Sequence, residues 1–251
     1  MLIQYCSDLH LEFNANENFL IENPIEPVGD ILILAGDIVP FAILNQYMWF
    51  FEYLSSKFKY SYWVPGNHEY YKSDIQDRSG VLNEKIYENV YLVNNVSIQH
   101  ENVNFIFSTL WSKIWPLNRQ NVKRGLSDFF SIRNGDERFS PEDFNDLHKK
   151  AVQFIEESLL KSTSKVNLIA THHVPTFNSY PEEYENSPIN NAFVSEQEDL
   201  IEIHDIDYWI FGHHHVNVED FEMHNTRFLT NQLGYVSFEE HHAYKTRVIE
   251  V

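Results

Sequence analysis

The sequence has little cysteine, no long apolar run and no linker-like tract. Its 251 residues include a single cysteine, Cys6, which excludes an intramolecular disulfide framework and is expected to be a buried, reduced thiol. No apolar run approaches the ~20 residues that span a bilayer, so no membrane partner is expected. No segment rich in proline, glycine or serine divides the chain, which predicts one domain over residues 1–251.

Basic residues are also scarce. Lysine and arginine number 18 against 37 aspartates and glutamates, giving a net charge of −19. Such a surface repels polyanions, so extended nucleic acid is not an expected partner. Met1 leads directly into an apolar run without a signal-peptide pattern, and a cytoplasmic location is therefore expected. The sequence leaves the oligomeric state unknown.

The chain does contain alternating apolar runs and amphipathic stretches, which predict an α/β fold. Strands are predicted near residues 2–6, 31–35, 60–64, 90–93, 103–108, 166–171 and 207–211, with terminal strands at 216–222, 227–230 and 246–251. Helices are predicted near residues 42–57, 74–88, 141–161 and 195–204. The clearest helix start is Ser140 as N-cap, followed by Pro141 and two acidic residues.

Potential metal ligands follow five of the predicted strands. They are Asp8, His10, Asp37, Asn67, His172 or His173, His213 and His215. Because strand side chains alternate with period two, Asp8 and His10 are expected on one side of the chain, and so are His213 and His215. Glycines such as Gly36 allow the tight turns that bring these side chains over the strand ends.

Carboxylates, an amide oxygen and imidazoles, with no cysteine at these corners, suit a pair of divalent ions. Mn, Fe, Zn, Co and Ni all fit this ligand chemistry, so the identity of the metal stays open. Two such ions against the carboxylates Asp8 and Asp37 would leave a locally cationic spot in an acidic protein. That spot would attract a small phosphate.

The ordered motifs D-x-H, GD, GNHE, THH and GHHH, spread over residues 8–215, resemble those of the calcineurin-like metallophosphoesterase family. The resemblance implies a four-layer α/β/β/α sandwich of two mixed sheets flanked by helices. It also implies a binuclear metal-dependent phosphoesterase that cleaves a small phosphomonoester or phosphodiester by in-line attack of a metal-bridging hydroxide.

Ligand roles follow from the resemblance position by position. One ion would be held by Asp8, His10, Asp37 and His215, and the other by Asp37, Asn67, His213 and one residue of the His172–His173 pair. Counting from the strand end favours His172, whereas counting back from Pro175 favours His173. His172 is preferred here.

Other residues of these motifs are expected near the ligands without binding metal. His68 would be the catalytic residue that donates a hydrogen bond or proton to the phosphate or the leaving oxygen. His173, His214 and Glu69 are candidates for contact with the substrate or with the ligands. For Glu69, the last residue of GNHE, stabilising the turn is the favoured role.

Two departures from related families narrow the resemblance. The segment after Gly36–Asp37 lacks the arginine of the GDxVDRG motif of protein serine/threonine phosphatases. Pro40 stands where purple acid phosphatases have a tyrosine ligand. The chain is therefore most similar to the small bacterial or phage-type phosphoesterases of this family.

Two long segments between predicted elements are expected near the site. Residues 111–140 form a locally basic segment, here called the flap, which either is a solvated loop or places Arg119 or Arg124 on the substrate phosphate. Residues 176–194 are expected to form a rim loop beside the site.

A protein of another class is the main alternative: a non-catalytic interaction scaffold with the same fold. The intact ligand set and the presence of His68 weigh against it. A nuclease of the same superfamily is disfavoured by the net charge and by the lack of an extended basic groove.

Overall fold

A computed structural model describes residues 1–251, and two six-stranded sheets form its centre. The strands are β1 (Leu2–Cys6), β2 (Ile31–Ala35), β3 (Tyr60–Val64), β4 (Leu82–Tyr87), β5 (Val90–Asn94), β6 (Val96–His100), β7 (Val103–Ser108), β8 (Arg133–Asn134), β9 (Glu137–Arg138), β10 (Val166–Thr171), β11 (Tyr208–Phe211), β12 (Phe221–Met223), β13 (Thr226–Thr230) and β14 (Val248–Glu250). The helices are α1 (Asn14–Glu22), α2 (Met48–Lys57), α3 (Arg119–Gly125), α4 (Asp128–Ser131), α5 (Pro141–Lys161) and α6 (Glu198–Ile203).

Both sheets are mixed, with parallel strands inside and antiparallel strands at the edges. The first sheet has the order β14-β1-β2-β3-β5-β4, and the second has the order β12-β13-β11-β10-β7-β6. Strands β1, β2, β3 and β5 run parallel, as do β7, β10, β11 and β13. The carboxyl ends of the inner strands therefore share one edge of each sheet, where ligand-bearing loops can meet.

Apolar side chains of the inner strands alternate between two packing faces. Ile33 of β2 packs toward the second sheet in one cluster with Phe105 of β7, whereas Leu34 packs outward in a cluster with Phe51 of α2. On the other side of the molecule, Trp209 of β11 shares an outer cluster with residues of α5 and α6. These three clusters confirm the four-layer α/β/β/α sandwich. No helix has the length and apolar character needed to cross a membrane.

Local structure departs from the sequence predictions in several places. The helix predicted near 74–88 is wrong, because residues 82–87 form β4, paired antiparallel with β5. The strand predicted at 216–222 is reduced to β12, which begins at Phe221, and α1, α3, α4 and β6 were not predicted. The helix predicted near 42–57 consists of a 3-10 helix, Phe41–Tyr47, followed by α2.

The flap contains helices and a hairpin, and its apolar side chains form most of one buried cluster. It contains α3, α4 and the β8–β9 pair, and its cluster includes Trp111, Val122, Phe129 and Phe139. Phe144 of α5 joins this cluster and anchors it to the sandwich. The rim loop carries two 3-10 turns and is tied back by a bridge between Val174 and Val194.

Candidate metal centre

The residues expected to bind metal meet at the carboxyl ends of parallel strands from both sheets. Asp8 and His10 follow β1, Asp37 follows β2 and Asn67 follows β3, while His172 follows β10 and both His213 and His215 follow β11. All are buried except His215, whose side chain is 12% exposed. The site therefore spans the junction of the two sheets.

The backbone, rather than the strand pleat, turns these side chains inward. The strand β1 ends at Cys6, and Asp8 and His10 lie beyond it with φ of 56° and 47°. Asp37, His213 and His215 also have left-handed backbone conformations, with φ of 56°, 82° and 59°. Convergence on one side was therefore predicted for the wrong physical reason. Aspartate and histidine are among the non-glycine residues that tolerate this region best.

Three glycines are required because side chains of the site lie directly over their Cα atoms. A Cβ on Gly36 would overlap the His172 ring, and one on Gly66 would overlap Asp37 Oδ1. A Cβ on Gly212 would lie 2.5 Å from Asp8 Oδ2. Only Gly36 of the three also needs a positive φ, of 91°. Close approach is thus the shared reason for glycine at these corners.

One set of ligand atoms forms around His10 and His215. Their Nε2 atoms are 3.0 Å apart, and His215 Nε2 lies 3.4 Å from Asp8 Oδ1. Asp37 Oδ2 lies 3.8 Å from His10 Nε2. We call these four side chains the first ligand group.

A second set forms around His172. Its Nε2 atom lies 3.1 Å from His213 Nδ1, 3.2 Å from Asn67 Oδ1 and 3.4 Å from Asp37 Oδ2. We call these four side chains the second ligand group. Asp37 Oδ2 faces both groups, while Asp37 Oδ1 accepts a hydrogen bond of 2.9 Å from the His68 backbone amide. One carboxylate oxygen is therefore shared between the two groups.

Outer acceptors fix the orientation of three imidazoles. Glu12 lies 3.2 Å from His10 Nδ1, Glu240 lies 2.8 Å from His215 Nδ1, and the Ala35 carbonyl lies 3.0 Å from His172 Nδ1. Because these oxygens can only accept, each Nδ1 carries a proton and each Nε2 is turned into a ligand group. Acceptors behind metal-binding histidines work in this way.

The charge balance of the site also fits a cation. Although burial lowers it, the Asp37 carboxylate raises the pKa of His172 to about 9. Burial likewise opposes the charge on His215, but hydrogen bonds with Asp8 and Glu240 raise its pKa to about 10. Buried carboxylates thus hold protons on the rings where no lysine or arginine is present. A divalent ion would supply the same compensation, and the N and O donors suit first-row metals.

The structure distinguishes the two histidines of the THH motif. His172 Nε2 reaches Asp37 and Asn67. His173 instead has Nδ1 3.2 Å from the Thr109 carbonyl and its ring packed against Trp111 and Phe144. His173 therefore lies behind the second ligand group, in contact with the His213 ring at 4.2 Å between centroids.

Glu69 joins the GD and GNHE corners. Its buried carboxylate accepts hydrogen bonds from the backbone amides of Asp37, at 3.0 Å, Ile38, at 2.6 Å, and Gly66, at 2.6 Å. The indole of Trp63 donates a further bond of 3.0 Å. Glu69 thus stabilises the turns that carry Asp37 and Asn67, and it does not contact the ligand atoms.

Asn67 is oriented by a residue of the flap that was not identified from the sequence. Asp128 Oδ1 accepts from Asn67 Nδ2 at 2.9 Å and from the Tyr71 hydroxyl at 2.7 Å. Because Asp128 holds the amide nitrogen of Asn67, the amide oxygen Oδ1 of Asn67 faces His172. The flap therefore reaches the site through an aspartate.

His68 lies beside both ligand groups without joining them. Its Nδ1 lies 2.9 Å from Glu12 Oε1, and its ring stacks on Tyr71 at 4.2 Å between centroids. Burial lowers the pKa of His68, but the charges of Asp37 and Glu12 raise it above the ordinary value. Its Nε2 makes no hydrogen bond within the chain.

His214 lies between His213 and His215, the two histidines of this corner that are expected to bind metal, and is held by Gln232. Its Nδ1 accepts from Gln232 Nε2 at 3.0 Å and from the Val216 amide at 3.1 Å. The proton of the neutral ring is therefore on Nε2. Gln232 Oε1 also accepts from the His215 amide at 2.8 Å. One buried glutamine therefore fixes both the His214 ring and the His215 backbone.

The basic residues of the flap lie outside the site. Arg119 pairs with Glu142 at 2.6 Å on the surface. Arg124 lines a separate depression with Lys123 and Arg138. Neither arginine reaches the ligand groups in this structure.

Four residues that hold the site in place were not predicted as site residues from the sequence. They are Glu12, Asp128, Gln232 and Glu240. Glu12 had a usable signal, because it continues the D-x-H spacing by two residues. The other three reach the site through tertiary contacts that no local pattern encodes.

Comparisons with known proteins agree with this geometry. The model of the family described as calcineurin-like phosphoesterase matches residues 1–217. An uncharacterized protein of Acanthamoeba polyphaga mimivirus is 31% identical over 261 aligned positions, which cover 93% of this chain and 91% of that protein.

Two solved structures have a similar fold. A phosphopantetheinyl hydrolase (PptH) from Mycobacterium tuberculosis aligns with a TM-score of 0.72 and 16% identity, covering 98% of this chain and 95% of that chain. A dimetal phosphatase from Danio rerio aligns with a TM-score of 0.58 and 14% identity, covering 92% and 87%. At these identities the two structures establish the shared fold.

Proposed function

The chain belongs to the calcineurin-like phosphoesterase family, and from this membership we propose that it hydrolyses a small phosphomonoester or phosphodiester at the site described above. Membership makes the protein a metal-dependent phosphoric ester hydrolase that uses two divalent ions. The kind of ester that is hydrolysed and the roles of the individual site residues are proposals.

The first ligand group would hold one ion and the second group the other, with Asp37 belonging to both. When bound, two such ions would activate water as a nucleophile and neutralise charge on the reacting phosphate. The single observation that carries the proposal is the shared position of Asp37 Oδ2, 3.8 Å from His10 Nε2 and 3.4 Å from His172 Nε2.

His172 is the proposed ligand from the THH motif. Its Nε2 faces Asn67 and Asp37, whereas the Nδ1 of His173 is taken by a backbone carbonyl. His173 would support the second group from behind through its contact with His213.

His68 is the proposed proton donor to the leaving oxygen. Glu12 accepts from its Nδ1 and fixes the ring, and stacking on Tyr71 holds the ring plane. The raised pKa favours the protonated ring of His68, and the Nε2 atom is free to deliver the proton. Glu12 and Tyr71 are thus positioning residues for the proposed donor.

The experiment that tests this function is the hydrolysis of a chromogenic phosphate ester after chelation and readdition of Mn²⁺. His68→Ala should keep both ions by elemental analysis yet lose about 10²–10⁴-fold in turnover, the usual contribution of a proton donor. His224→Ala is a matched control, because His224 pairs only with Glu198 at the surface. Full turnover by His68→Ala would remove it from the mechanism.

We also propose a small-molecule substrate and a cytoplasmic location. A small phosphate ester fits an acidic protein better than a nucleic acid does, since the net charge of −19 repels a polyanion. The cytoplasmic location rests on the sequence pattern alone. Absence of metal-dependent hydrolysis across mono- and diester substrates would favour the scaffold alternative.

A further inference from the structure

A cavity of about 400 Å³ adjoins the two ligand groups and lies between the flap and the rim loop. Its size falls within the ~300–1,000 Å³ typical of small-molecule sites. Asp37, Asn67 and His213 form its floor. A phosphate on that floor would leave the rest of the cavity for the group esterified to it.

Five of the 19 residues that line this cavity are tyrosine or phenylalanine. The rim loop contributes Tyr180, Tyr184 and Phe193, and Tyr71 and Tyr235 lie elsewhere in the lining. Phe193 stacks on the His213 ring with centroids 4.5 Å apart, so the aromatic walls begin at the second ligand group. Flat aromatic and apolar groups gain most from such walls.

No lysine or arginine lines the cavity, but two further carboxylates do, Asp128 and Glu240. The basic residues of the flap lie elsewhere, with Arg119 paired to Glu142 and Arg124 in its own depression. Away from the ligand groups and His68, a second anionic group on the substrate would therefore have no positive partner in the cavity. Burying an unpaired charge is costly.

Besides these two carboxylates, the walls offer uncharged donors and acceptors. His214 offers an Nε2–H that makes no hydrogen bond within the chain, because its Nδ1 is occupied by Val216 and Gln232. Ser127 and Ser187 add hydroxyl groups to the lining. Groups of this kind pair with amide, carbonyl or hydroxyl functions.

We propose that this cavity is a subsite for an uncharged organic group, so that the substrate is a phosphate ester whose alcohol part carries aromatic, amide or hydroxyl functions and no second anion. The inference rests on the proposed function and narrows its substrate class. It disfavours nucleoside di- and triphosphates and bisphosphorylated compounds.

The test is competitive inhibition of the Mn²⁺-loaded full chain by three matched phosphonates: phenylphosphonate, 4-carbamoylphenylphosphonate and 4-carboxyphenylphosphonate. The last two are nearly the same in shape, but the carboxy compound carries a negative charge at the far end where the carbamoyl compound carries a neutral amide. We expect the carbamoyl compound to bind at least about tenfold more tightly than the carboxy compound, because the cavity has carboxylates and no cation. Equal inhibition constants, or tighter binding of the carboxy compound, would overturn the proposal.

Two variants test whether the organic group of the inhibitor binds in this cavity. Tyr184→Ala should weaken inhibition by the carbamoyl compound about fivefold or more by removing an aromatic wall, while inhibition by inorganic phosphate stays unchanged. Phe130→Ala is the matched control, because Phe130 is a flap aromatic that is 61% exposed and lines a different surface. No change with Tyr184→Ala would refute the subsite.

The experiments distinguish a failure of the proposed hydrolase function from a failure of the proposed substrate class. Without metal-dependent ester hydrolysis or inhibition by inorganic phosphate, the proposed function itself fails. With hydrolysis present but no discrimination between the carbamoyl and carboxy compounds, only the substrate class fails.

Discussion

At the scale of single residues, backbone conformation decides which side chains reach the metal site. Five of the proposed ligand residues have positive φ, between 47° and 82°. Non-glycine residues in this region cost about 1–3 kcal/mol each, although aspartate and histidine tolerate it better than most. Buried hydrogen bonds, such as those between Asp8 and the His213 amide, hold these conformations. The site thus depends on local strain that a strand pattern does not reveal.

The shared carboxylate is the most sensitive residue of the site. Asp37→Asn removes one negative charge from both ligand groups, and we expect it to lose both ions by elemental analysis of the purified protein. Asp199→Asn, at an exposed position of α6, is the control and should retain them. Full metal occupancy in Asp37→Asn would contradict the bridging role.

Metal binding should release protons at neutral pH. In the metal-free protein the pKa values of His172 and His215 are raised to about 9 and about 10, so both rings carry an extra proton at pH 7. A metal needs the unprotonated Nε2, so apparent affinity should increase as pH increases toward 9–10. Isothermal titration calorimetry in two buffers of different ionisation enthalpy, such as PIPES and ACES, measures the release. Equal heats of Mn²⁺ binding in the two buffers would contradict the predicted proton release.

At the scale of elements, helix α5 is the best-predicted part of the chain. Its start at Ser140 is confirmed, and the structure adds a capping box in which the Ser140 hydroxyl and the Asp143 carboxylate exchange hydrogen bonds with backbone amides. The helix matters for the site because Phe144 anchors the flap and His148 joins Leu110 to Ser195.

Loss of this cap should destabilise the protein measurably. Ser140→Ala leaves the Asp143 amide without its acceptor, and we expect the free energy of unfolding to fall by about 1 kcal/mol. Urea denaturation of the metal-free protein measures it. Thr163→Ala, at an exposed position just after α5, should change stability little, and an equal loss in both variants would argue against a specific cap.

The wrong helix near 74–88 shows where element prediction fails. Leu82 and Ile86 are spaced as on a helix face, yet they lie in β4, an edge strand. Its only sheet partner is β5, and that pairing across a short turn overrides the local preference. The inner strands were predictable because their apolar runs are buried on both faces, as in β2, where all residues are buried.

At the scale of the whole molecule, the site exists only because two sheets meet. The first sheet supplies Asp8, His10, Asp37 and Asn67, and the second supplies His172, His213 and His215. The sequence placed these residues together because each follows an apolar run, where parallel strands end. It did not predict the residues that orient them, such as Asp128 in the flap, since these depend on how distant segments pack.

We propose that one carboxylate, that of Asp37, joins two metal sites built from the two sheets. Anomalous diffraction from crystals of the full chain grown with Mn²⁺ would locate both ions. We predict two peaks per chain, one bounded by Asp8, His10 and His215 and the other by Asn67, His172 and His213, with Asp37 in contact with both. A single peak, or two peaks that do not share Asp37, would contradict this account.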